Sequence, residues 1–193
     1  MLLAADRSAD ALVRIEAGEA ALGKLAHPKL RAWITAARAE ALAECGDDAA
    51  CRAALDGALR HLHATDRGSA PAPYVDYLNE WHLHRWTGNC LATLGHADAV
   101  RVIEEALTQA DPSFVRAQAS LVIDLAAAHA AVGDLEQACA AASQGVALAA
   151  ETRSARQLRR VLTLQEALRP AAGSSVYAEF LDQLGEATAP DRT

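Results

Sequence analysis

The sequence predicts an all-α fold, and three observations carry that reading. The 193 residues are 52% hydrophobic but only 4% aromatic, and Ala and Leu supply most of the apolar content. Ala is the strongest helix former and Leu is close behind. Val and Ile are few, and no stretch alternates apolar and polar residues for long, so the strand period is missing. Finally, Gly46, Gly95 and Gly133 each sit between two helical patterns, where a left-handed C-cap that a Cβ would penalise is expected. A chain of this length has one domain as its default and buries roughly 70% of its unfolded surface.

Helices are expected over 9–24, 28–45, 48–64, 74–94, 97–109, 112–132, 135–150, 154–168 and 174–185. Gly46-Asp47 closes the second and opens the third, because Asp after the glycine suits a helix start. Thr65 to Pro73, reading Thr-Asp-Arg-Gly-Ser-Ala-Pro-Ala-Pro, is a loop, which sets the fourth start near Tyr74. Asp111-Pro112-Ser113 offers an N-cap and a first-turn proline for the sixth. Gly133-Asp134 repeats the turn, and Pro170-Ala-Ala-Gly-Ser-Ser sets off the last helix. The tail 188–193 is expected to fray.

The flanks of the three glycines are alike. Ahead of them stand Ala39 and Leu42, Gly88 and Leu91, and Ala126 and His129. After them stand Cys51, Leu55 and Ala58, then Ala99, Ile103 and Ala106, then Ala138, Ala142 and Gly145. Small residues let two helices approach while larger ones fill the groove between them. This pattern resembles the tetratricopeptide repeat (TPR). It departs from the family in replacing the aromatic positions by Leu, Ile, Ala and His, and in spacing its glycines more widely than the roughly 34-residue repeat. The resemblance implies a TPR-like α-α superhelix in one domain, 1–187. Its repeat-like pairs would lie at about 30–64, 74–110 and 112–150, with capping helices over 154–185.

A broader resemblance runs from Trp86-Thr-Gly-Asn-Cys-Leu-Ala-Thr-Leu-Gly95 to Ala138-Cys139 and includes Ser154-Ala-Arg-Gln-Leu-Arg-Arg160. These segments are similar to the C-terminal half of actinobacterial helix-turn-helix transcriptional regulators of the XRE type, in which a TPR-like region follows a small DNA-binding domain. The resemblance implies a role in transcriptional regulation. The chain has no recognisable helix-turn-helix, so it is expected either to act through another protein or to be part of a longer one. Residues 1–25 look like part of an earlier helix pair.

Composition narrows the function classes. The net charge of −7 argues against direct nucleic-acid binding. Cys45, Cys51, Cys90 and Cys139 lie far apart with no CxxC and are expected to be reduced thiols of a cytoplasmic protein. The N-terminus carries no basic signal region, and no apolar run is long enough for a membrane span. His61 and His63, like His82 and His84, are two apart and point to different helix faces. No metal and no cofactor are expected. No nucleophile elbow, P-loop or dinucleotide fingerprint occurs, so binding is expected rather than catalysis.

The richest segment runs from Tyr74 to Asn89 and holds two of the three Trp and two of the three Tyr. Trp81 can stack with Arg85 and His82 with Trp86, each four apart. These aromatics either fill the junction beside the loop or face a ligand. The TPR resemblance implies an inner groove lined by the first helix of each pair. Its chemistry-bearing members here would be Trp33, Glu40, His82, Arg85, Asn89, Ser120 and Asp124. Arg85 and Asn89 fall where peptide-binding TPRs hold a carboxylate or backbone, whereas Asp124 departs from that clamp. The expected partner is a protein, a peptide or a small-molecule effector, with a second copy of the chain also open. A general scaffold without a regulatory ligand is the other reading. Arg153, Arg156 and Arg160 share a face of the Arg-rich helix, either solvated or meeting phosphate or an acidic partner.

Overall fold

The computed structural model describes residues 2–23, 26–65 and 73–189, with side chains from residue 8 onward. Among these residues there is no strand. The helices are α1 (Leu2–Ala21), α2 (Pro28–Glu44), α3 (Asp48–His63), α4 (Glu80–Thr93), α5 (Asp98–Thr108), α6 (Val115–Ala131), α7 (Leu135–Glu151), α8 (Ala155–Leu168) and α9 (Ser175–Thr188). No helix of the described residues is long and apolar enough to cross a membrane.

The turns follow the sequence closely. Gly46 and Gly133 take φ of 77° and 84°. Both close their helices in the same way. The amide of Asp47 donates to the Leu42 carbonyl at 3.0 Å, and that of Asp134 to His129 at 2.9 Å, a Schellman arrangement that satisfies orphan carbonyls. Each Asp then caps the next helix: Asp47 Oδ1 accepts from the Ala50 amide at 3.1 Å and Asp134 Oδ1 from Gln137 at 3.3 Å. At the Gly95 turn α5 begins without a side-chain cap. A further turn of this kind follows α7, with Arg153 in place of glycine at φ 48°. The Ser154 amide donates to Ala149 at 2.9 Å, and the Ser154 hydroxyl caps α8 through the Gln157 amide at 3.4 Å.

Three helix starts differ from expectation. The first helix begins at Leu2 rather than residue 9. The fourth begins at Glu80 rather than Tyr74, because Asn79 is the N-cap and its Oδ1 accepts from the His82 amide at 3.1 Å. Residues 73–77 form turns, and Val75 and Leu78 enter the core from them. The sixth begins at Val115, because Asp111 Oδ1 binds the Ser113 amide at 2.8 Å and closes a separate turn around Pro112.

The described chain forms two compact units, Met1–Leu94 and Gly95–Thr193, whose boundary lies inside the expected 74–110 pair. In the first, α2 and α3 form a helical hairpin, α1 packs on α2, and α4 packs on α2 and α3. Its core is lined with small residues: Ala32, Ala36, Ala39, Cys51, Ala54, Ala58 and Cys90 are fully buried. Small side chains let these helices approach closely. In the second, α6 and α7 form the hairpin, α5 packs on α6, and α8 and α9 pack on α7. Here Phe180, Leu168, Val161 and Ile123 supply the bulk. Gly145 faces Ile123 so closely that a Cβ would stand 2.8 Å from Ile123 Cγ1.

Candidate partner-binding site

Five of the seven expected lining residues lie in the first unit. On α2, Trp33, Ala37, Glu40 and Glu44 follow one another at spacings of four, three and four and so share a face. Trp33 is 37% exposed, and Glu40 is exposed. On α4, His82, Arg85 and Asn89 form the equivalent stripe. Next to the α4 stripe, the Trp86 indole Nε1–H donates to Glu40 Oε2 of α2 at 3.1 Å. The body of Trp86 packs against the cluster of Ala32, Ala36, Ala58, Leu62, Leu78 and Leu83. Trp86 therefore anchors the α4 stripe beside α2, a role the sequence left open between packing and ligand contact.

The other aromatics divide between packing and exposure. Arg85 lies over the Trp81 ring at 5.8 Å, as the four-residue spacing predicts. His82 meets Tyr77 and Trp81 edge-on at 5.2 and 5.0 Å rather than stacking on Trp86. Its Nδ1 lies 2.8 Å from Asn79 Oδ1, so the ring nitrogen donates there. Burial, with Arg85 adding to it, holds the His82 pKa below the usual histidine value. Tyr74 is 91% exposed, so it is not part of the junction packing.

Beside the α2 stripe lies a cleft of about 310 Å³ between α1 and α2. Ala11 and Ile15 of α1 and Ala37 and Ala41 of α2 form its apolar lining, Ser8 stands at one side, and Glu40 and Glu44 edge it. The helix pair that makes it is cross-tied. Glu19 of α1 accepts from the Thr35 hydroxyl at 3.1 Å and from Arg38 Nη1 at 2.9 Å. The repeat pattern named Glu40 but not the α1 wall of this cleft, since α1 falls outside that pattern.

The remaining two expected residues, Ser120 and Asp124 of α6, lie in the second unit and meet α8. Asp124 is 4% exposed and forms a salt bridge with Arg160. The same guanidinium donates to Ser120 Oγ at 2.9 Å and to Gln157 Oε1 at 3.3 Å. Arg160 thus turns inward, whereas Arg153, Arg156 and Arg159 are exposed. Among the described residues no group of three or more His, Cys, Asp or Glu is placed to hold a metal ion. Cys51, Cys90 and Cys139 are buried, Cys45 is exposed, and all four are free thiols.

Comparison with family models, with curated proteins and with solved structures returned no match, so the repeat and regulator resemblances rest on the residues quoted above.

Proposed function

We propose that the chain is a partner-binding module, TPR-like in construction, whose binding face is the α2–α4 surface of the first unit. The observation that carries this reading is the Trp86–Glu40 bond. It ties α4, which carries His82, Arg85 and Asn89, to α2 at Glu40, next to a cleft with an apolar lining. Pre-positioned aromatic and charged side chains beside an apolar cleft are what recognition needs. Arg85 offers a planar fork of donors, and Asn89 offers both donor and acceptor. Ser120 and Asp124 are assigned no part in it, because Arg160 occupies them.

The link to transcription is a proposal resting on the resemblance of residues 86–160 to the sensory half of XRE-type regulators. In that reading the module acts in the cytoplasm without catalysis, through a DNA-binding protein that it contacts. The test is affinity capture of the tagged chain from its native host, with mass spectrometry of what is retained. Wild type is expected to retain a DNA-binding protein, or a longer form of this chain, that an Arg85→Ala/Asn89→Ala variant of equal stability loses. Identical retention by both refutes the assigned face. Retention of enzymes or structural proteins alone replaces the regulatory role with a scaffolding one.

A further inference from the structure

The α1–α2 cleft differs chemically from the rest of the proposed face. Among the described residues its lining is aliphatic, from Ala11, Ile15, Ala37 and Ala41, with Ser8 beside them, and its charged members, Glu40 and Glu44, are both acidic. Among the described residues neither carboxylate is held in an ion pair. Glu19, the acidic residue that ties α1 to α2, is already shared by Thr35 and Arg38. Among the described residues Glu40 instead receives a neutral indole N–H, and Glu44 is exposed. Glu40 is held in place by that bond, so one carboxylate is pre-positioned at the cleft rather than free to sweep through solvent.

The cleft runs beside Ala37 to Glu44 of α2 and Ser8 to Ile15 of α1, about 10 Å of helix axis on each side at roughly 1.5 Å per residue, and its volume of about 310 Å³ is at the low end for an enclosed small-molecule site. An elongated apolar trough beside a helix takes an amphipathic segment laid along it. The sign of the edge then selects the segment's charge. Lys and Arg suit it doubly, because their aliphatic stems pack on Ala and Ile while their charged heads reach the carboxylates. Trp33, 37% exposed at the other end of the α2 stripe, presents an indole of the kind that attracts a cation.

We infer that the α1–α2 cleft of the first unit binds a basic amphipathic peptide segment of a protein partner, with Glu40 and Glu44 pairing its Lys or Arg side chains. The inference rests on the proposed function, deepening it by naming the partner's chemistry, and it is tested independently of the partner's identity. A labelled twelve-residue peptide of Lys-Leu-Leu-Lys repeats is titrated with the full chain at about 0.15 M salt, where exposed long-range attraction is largely screened. A Glu-Leu-Leu-Glu peptide serves as control. Saturable binding of the basic peptide and none of the acidic one is expected. Glu40→Gln/Glu44→Gln, which keeps a Trp86 acceptor at position 40, is expected to weaken binding roughly five- to tenfold, the combined effect of two exposed charge pairs. Asp182→Asn/Glu186→Gln, an equally spaced exposed acidic pair on α9, removes the same net charge and is expected to change nothing. Unchanged urea midpoints confirm that both variants are folded. No binding of the basic peptide, or equal weakening by the two double variants, overturns the inference. Either result leaves the proposed function to the Arg85→Ala/Asn89→Ala capture, which does not depend on Glu40 or Glu44.

Discussion

Removing Arg160 is expected to cost more stability than removing its partner Asp124, and the structure gives the reason. The Asp124 side chain is 5% exposed and that of Arg160 is 30% exposed. In Arg160→Ala the buried carboxylate loses its cation, a loss of about 3–5 kcal/mol for a broken buried pair. In Asp124→Ala the guanidinium keeps Ser120 and Gln157 as acceptors and is partly in water, so the loss falls to about 1–2 kcal/mol. The double variant should cost less than the sum of the two, with a coupling of about 1–3 kcal/mol. Urea unfolding followed by circular dichroism measures each value. Cys139 provides a local reporter, because it is fully buried and is the one cysteine of the second unit. Its reactivity toward a thiol reagent in native buffer should rise in the same order. Equal losses, or a larger loss for Asp124→Ala, would refute the argument that the two ends of this pair differ in solvation.

Arg153→Gly is expected to stabilise the chain by about 1 kcal/mol, because φ of 48° places a side chain where a left-handed backbone penalises it; thermal unfolding checks the direction. Gly145→Ala should do the opposite despite its better helix propensity. A Cβ 2.8 Å from Ile123 Cγ1 overpacks the α6–α7 contact by about 1–3 kcal/mol, which a urea midpoint will record. Acidification should destabilise the first unit. His61 and His82 both have pKa values held below the usual 6.5, chiefly by burial. Their neutral forms therefore favour the fold above about pH 6.5, and that contribution is lost as pH falls through the lower folded values. His82→Ala should shrink the difference between urea midpoints at about pH 7.5 and pH 5.5.

The helices and their turns were largely legible in the sequence because their signals are local. Gly46-Asp47 and Gly133-Asp134 each encode a left-handed residue and the next N-cap side by side. Arg153-Ser154 makes the same turn but carries no glycine, so only the Schellman bonds reveal it. At the fourth helix, the loop ending at Pro73 suggested a start at Tyr74, whereas the helix starts after Asn79, whose side chain accepts the His82 amide. At the sixth, Asp111 does accept an amide bond, but from Ser113 in a preceding turn. The surroundings of the expected lining residues were less legible because the contacts that decide them are non-local. Trp86 reaches Glu40 between α4 and α2, and Arg160 reaches Asp124 between α8 and α6. Neither pair shares a helical spacing that sequence could register. The repeat pattern did not distinguish α6 residues covered by α8, Ser120 and Asp124, from α2 residues left open, Trp33 and Glu40.

The central claim is that the α2–α4 surface of the first unit is where a partner binds. Site-specific photo-cross-linking in the native host tests it most directly, with a photoreactive residue placed at Trp33, at Arg85, or at Asp182 on α9. The account predicts one cross-linked partner from positions 33 and 85 and none from position 182. Cross-linking from 182 alone, or equally from all three, would contradict it.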